Sequence, residues 1–201
     1  MGPELGGDTS QDPLAVPARD VTVATFCMDV TEVSETQMRL CKSCGPPPPL
    51  HGCTLGLTDL PARCLTHVQA DAYCREQKKR LPTEEEWEYA ARGQEGRVYP
   101  WGSRWPVASL CVDRRAQGSA SPCPVGSSTD DRTPEGILDL AGNAQEWTST
   151  RVCDGRSKPC ADGFVVRGND FSDPGAKGVV DVRGVFDDRA YGFGFRCVAT
   201  P

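Results

Sequence analysis

Cysteine is the residue whose number and spacing in this chain could do chemistry. There are eleven in 201 residues. Cys41-Lys42-Ser43-Cys44 is a C-x2-C, and Cys53 and Cys64 follow it. Such thiols could hold zinc, exchange electrons or cross-link the chain. Zinc favours two closely spaced pairs, but Cys53 and Cys64 are separated by ten residues and form no second knuckle. A thioredoxin-type exchange would need a βαβ unit around the C-x2-C, and none is legible. Histidine occurs only at His51 and His67, too few for a histidine-rich metal centre. Disulfides are therefore the expected use, which places the chain in an oxidising compartment. An odd count leaves at least one thiol free or bonded to another chain.

Three consecutive glutamates, Glu84, Glu85 and Glu86, could pair as acid and base. They also follow Thr83 as a capping box, in which Glu86 reaches back to the backbone N–H that starts a helix. Negative charge in a first turn suits the helix dipole. Capping accounts for them without catalysis. The chain carries a net charge of −6 and an isoelectric point near 5.0. Its basic residues are scattered, so a nucleic-acid or anionic-membrane partner is not expected. No apolar run approaches the roughly 18 residues of a membrane span.

The elements that must position these residues are short. With 21 Gly and 17 Pro, the chain predicts little regular structure and long loops. Residues 1–19 read as a flexible leader and residues 20–201 as one domain. Residues 20–33 alternate like a strand. Ser34-x-x-Gln37 predicts a short helix ending near Cys41, and Thr66-x-x-Gln69 predicts another through Val68, Ala72 and Tyr73. Thr83 opens a third, which Gly93 should end. Beyond Tyr99 the chain reads as turns and short strands, with one at Phe164–Arg167 and a last one over Gly192–Val198. No secretory signal is visible, so the chain is either intracellular or exported with its signal removed. The cysteines favour the second.

Five blocks together resemble the formylglycine-generating enzyme, or sulfatase-modifying factor, family. They are Ala70-Asp71-Ala72-Tyr73-Cys74, then Leu81-Pro82-Thr83-Glu84-Glu85-Glu86-Trp87-Glu88-Tyr89-Ala90-Ala91-Arg92-Gly93, and then Tyr99-Pro100-Trp101-Gly102. Gly136-Ile137-Leu138-Asp139-Leu140-Ala141-Gly142-Asn143-Ala144-Gln145-Glu146-Trp147-Thr148 and Gly194-Phe195-Arg196-Cys197 complete the set. The resemblance implies an α+β FGE-sulfatase fold related to C-type lectins, with few short helices and strands, many loops and disulfide staples. It implies a Cys74–Cys197 disulfide. It also implies a calcium site with carboxylates from Asp139 and Glu146 and carbonyls from Gly142 and Ala144. Hard oxygens from a tight loop are what calcium needs; a turn with Glu146 bonded to backbone N–H groups is the plainer alternative.

Family enzymes use O₂ and two cysteines, five positions apart, that hold copper(I). Those positions fall here near Asp173 and Gly178, and no cysteine lies between Cys160 and Cys197. No copper is expected. Another branch of the family uses a three-histidine iron site for sulfoxide synthesis, and two histidines fall short of it. The expectation is thus a non-catalytic, exported domain that binds a protein, peptide or glycan. The alternatives are a modifying oxidase using non-standard residues and a structural accessory subunit. Asp170, Asp173, Arg183 and Arg189 could form a binding face where the family has its peptide groove, or simply a solvated charged loop. Local disulfides are expected at Cys111–Cys123 and Cys153–Cys160, with two more among Cys41, Cys44, Cys53 and Cys64. Cys27 is left over.

Overall fold

The computed structural model describes residues 20–46, 55–104, 109–119, 121–153, 162–173, 183–186 and 193–201. Three helices arise where the capping boxes predict them: α1 (Glu35–Met38), α2 (His67–Glu76) and α3 (Glu84–Arg92). At each N-terminus the Ser34, Thr66 or Thr83 hydroxyl accepts the N–H three residues on. The side chain of Gln37, Gln69 or Glu86 returns the bond to the cap. Such caps are each worth about 1 kcal/mol. Gly93 ends α3 at φ 64°, a left-handed conformation natural to glycine.

Two small antiparallel sheets surround these helices. One pairs β1 (Cys27–Met28) with β5 (Val198–Ala199). The other has the order β2-β3-β4, from Glu146–Cys153, Asp162–Arg167 and Arg183–Phe186. The strand expected over residues 20–33 shrinks to Cys27–Met28. Beyond it the chain stays extended but changes partner. Asp29 and Val33 donate to the carbonyls of Cys197 and Phe195, and Val33 accepts from Ala62. The last strand shrinks likewise. Gly194 exchanges bonds with Gln145 and Trp147, and only Val198–Ala199 forms a regular pair. The eight-residue β2 has no counterpart in the sequence reading. Glu146, Trp147 and Thr148 are all buried, and the register shifts between Trp147 and Arg151, so no alternation is visible.

The main core gathers Leu65, Ala70, Leu81, Trp147, Val166 and Phe195. Trp87, Ala91 and Leu140 form a second cluster under α3. Cys74 of α2 is bonded to Cys197, tying a helix to the chain's last strand across 123 residues. Cys111 is bonded to Cys123, and Cys41 to Cys44. Cys64 is also disulfide-bonded. Cys27 is the free cysteine among the described residues and is exposed. The side chains of Cys153 and Cys160, and the whole of Cys53, lie outside the described residues.

Candidate functional site: a buried charge centre at the 139–146 loop

The loop after the second cluster is bent by its own residues. Asp139 and Asn143 adopt φ 60° and 67°, which Asp and Asn tolerate better than other side chains. Between them Gly142 presses on the neighbouring backbone. A Cβ there would stand 2.7 Å from the Cys111 carbonyl oxygen, so only glycine fits. Asn143 ties the same neighbour down: its N–H donates to the Cys111 carbonyl and its Oδ1 accepts from Cys123 N. The Cys111–Cys123 loop and the 139–146 loop therefore form one unit.

Glu146 opens β2 with no exposed surface, against Arg196, which is equally buried. Arg196 Nη2 donates to Glu146 Oε1 at 2.7 Å, and its Nε reaches both carboxylate oxygens. Trp87 Nε1 donates to Oε2 at 2.9 Å. The remaining guanidinium donors reach the carbonyls of Asp29, Val30, Leu138 and Asp139. One side chain thus joins three separate stretches of chain. Burial works against its charge, but the Glu146 carboxylate and its hydrogen bonds outweigh that and raise the Arg196 pKa.

Three more acids crowd this centre. Glu32 is buried, and burial, followed by the charge of Asp139, pushes its pKa well above the ordinary carboxylate range. Both of its carboxyl oxygens are buried and have no hydrogen-bond partner. Burial also raises Asp139, against the lowering effect of the Gly126 N–H and Arg196. Asp131 accepts from Ala141 N at 2.7 Å and is pushed up to about 7, again chiefly by burial. A buried centre with one guanidinium and four carboxyls is tolerable only if some of them stay neutral.

Of the four expected calcium donors, Glu146 and the Gly142 carbonyl are engaged within this arrangement and Asp139 is engaged through one oxygen. Glu146 gives both oxygens to Arg196 and Trp87. Asp139 Oδ2 accepts from Gly126 N–H, and its Oδ1 is buried without a hydrogen-bond partner. The Gly142 carbonyl accepts from Ala144 N. Calcium needs several uncommitted oxygens at once; Glu146 is committed to Arg196, whereas Glu32 Oε1 and Oε2, Asp131 Oδ1 and Asp139 Oδ1 are buried without a hydrogen-bond partner. Among the described residues, no three His, Cys, Asp or Glu side chains gather to hold a metal.

The expected binding face is partly visible. Asp170 and Asp173 share one turn. Asp173 Oδ2 accepts from Asp170 N, and Asp170 accepts from the backbone and hydroxyl of Ser172 while pairing with Arg63. Arg63 also lies 4.6 Å from the Phe171 ring centre. These acids hold their own loop together. Asp173 is a hard carboxylate engaged by an N–H, which does not fit copper(I). Arg183 enters through its backbone pairing with Arg167; its side chain, Gly178 and Arg189 lie outside the described residues.

Glu32, Asp131 and Arg196 are the site residues that sequence reasoning missed. A signal existed for Glu32, a lone acid in the apolar setting Val30-Thr31-Glu32-Val33. Arg196 was visible only as part of a motif.

The model of the sulfatase-modifying factor enzyme 1-like domain (FGE-sulfatase) matches residues 2–201. The chain belongs to the FGE-sulfatase family. Among curated members, it is 39% identical over 101 residues to mouse "Inactive C-alpha-formylglycine-generating enzyme 2", covering 46% of this chain and 32% of that protein. It is 38% identical over 95 residues to the formylglycine-generating enzyme of Mycobacterium tuberculosis, covering 43% and 32%. A hercynine oxygenase from Mycolicibacterium thermoresistibile is 36% identical over 97 residues, covering 46% and 21%. These matches span about a third or less of the relatives' own length. Among solved folds, PvdO from Pseudomonas aeruginosa aligns with a TM-score of 0.74 at 22% identity, covering 93% of this chain and 85% of that one. CarF aligns at 0.66 and 18%, covering 89% and 88%. At such identities these two show the FGE-sulfatase fold alone. Among the described residues, no helix is long and apolar enough to cross a membrane.

Proposed function

We propose that this FGE-sulfatase domain is a non-catalytic, exported module that binds a protein, peptide or glycan. One observation carries the reading: no cysteine lies between Cys160 and Cys197, where the family's enzymes keep their copper(I) pair. The Asp173 carboxylate in that region serves its own loop. Similarity to a relative named inactive supports the same direction. Disulfides favour an oxidising compartment and so export. A stapled core with long connecting loops is the usual platform for binding surfaces. The test is twofold. Saturable binding of the purified chain to a cell-envelope or cell-surface fraction supports the reading. O₂ uptake with a cysteine-containing sulfatase peptide, together with stoichiometric copper, replaces it with the enzyme.

Cys27 favours a second reading, a structural accessory subunit. It is free and exposed at the edge of the β1–β5 pair, where it could link to a partner. A band of higher mass on non-reducing gels, lost with reductant and in Cys27→Ser, would establish that role.

A further inference from the structure

Of the disulfides described, Cys41–Cys44 is built differently. It joins residues three apart, whereas Cys74–Cys197 spans 123. A three-residue loop removes little freedom from the unfolded chain, so its closure contributes little to folding. Its first cysteine reaches the surface. Cys41 is half-buried and Cys44 is 6% exposed, so an incoming thiol can reach the first sulfur while the second is sheltered. A separate device holds the two residues together. The Glu76 carboxylate at the end of α2 accepts the backbone N–H groups of Lys42 and Ser43 at 2.8–3.1 Å. Those bonds hold Glu76 below the usual carboxylate range. Glu76 Oε2 lies 3.6 Å from Cys41 Sγ. The loop therefore keeps its shape through Glu76 whether or not the sulfurs are joined.

We infer that Cys41–Cys44 is a reversible dithiol–disulfide site that exchanges with an external dithiol. In the exchange, a thiolate of the external dithiol attacks Cys41 Sγ. The Cys41–Cys44 bond breaks and Cys44 leaves as a thiolate. The second external thiol then attacks the mixed disulfide and releases Cys41. The external dithiol ends as a disulfide, having lost two electrons, and Cys41 and Cys44 end as thiols carrying its two protons. Cys74–Cys197 does not take part: both of its cysteines are fully buried. Exposed disulfides are the labile ones, and buried structural ones resist reduction.

The experiment equilibrates the oxidised full chain with graded ratios of reduced to oxidised dithiothreitol. Free thiols are then alkylated and the peptides weighed, while a parallel sample is melted. The expected result is half-reduction of Cys41–Cys44 at a ratio at least tenfold lower than for Cys74–Cys197, with the melting temperature unchanged. The Cys41→Ser/Cys44→Ser double variant should fold and melt like the parent. Opening of both disulfides at the same ratio overturns the inference. So does failure of the double variant to fold, since the bond would then be structural.

Discussion

Arg196 Nη2 stands 2.7 Å from Glu146 Oε1, and neither side chain has measurable contact with solvent. The pair joins the last stretch of the chain to the start of β2, and through Trp87 to α3. Removing either partner leaves an uncompensated buried charge, which typically costs 3–5 kcal/mol. Arg196→Met and Glu146→Gln should each lower stability by about that much in denaturant melts, and the double variant should cost less than the sum of the two. Additive losses would mean that the two side chains act independently.

Acidity should strengthen this fold before it weakens it. Asp131 titrates near 7 in the folded state, against about 3.9 in an unfolded chain. Its folded pKa is raised, so between those values the folded state carries the extra proton. Stability from this group is full at the acid end of the window and is lost as the pH rises through about 7. One pKa unit corresponds to about 1.4 kcal/mol, so the swing is on the order of a few kcal/mol. Asp131→Asn should flatten the difference between melts at about pH 5 and about pH 8. An unchanged slope in that variant would assign the titration to Glu32 or Asp139 instead.

Arg196 gives Glu146 a positive partner without a metal. Millimolar calcium and a chelator should leave the melting temperature within about 1 °C of each other. A calcium-dependent rise of several degrees would mean that the ion takes up the unpartnered oxygens of Glu32, Asp131 and Asp139.

Cutting the long disulfide should hurt far more than cutting the short one. Cys74→Ser/Cys197→Ser removes a link across 123 residues, and a loss of about 3–5 kcal/mol is expected. A smaller loss would mean that the unfolded chain is already compact, which a reduced denaturant dependence would reveal.

Local features were the legible part of this fold. Ser34, Thr66 and Thr83 announce their helices because a capping box is written within four consecutive residues. Gly93 announces its stop for the same reason. The strands were less legible because their partners lie far away. Val33 answers Phe195 on one side and Ala62 on the other, so its extended run forms no ladder that alternation could show. The charge centre was the least visible. Glu32, Asp131, Glu146 and Arg196 are scattered over 165 positions, and only folding makes them neighbours. The Asp139 and Glu146 expectation located the right loop. It did not include Arg196, because no spacing rule shows that Arg196 reaches that loop.

The stretch from Phe193 to Ala199 meets nearly every other part of the molecule. It bridges to β1, Arg80, Asp29, Val33 and β2, and it carries both Arg196 and Cys197. The bonds these partners make with it cannot form until that stretch arrives. During synthesis those bonds therefore stay open until residue 199 has left the ribosome.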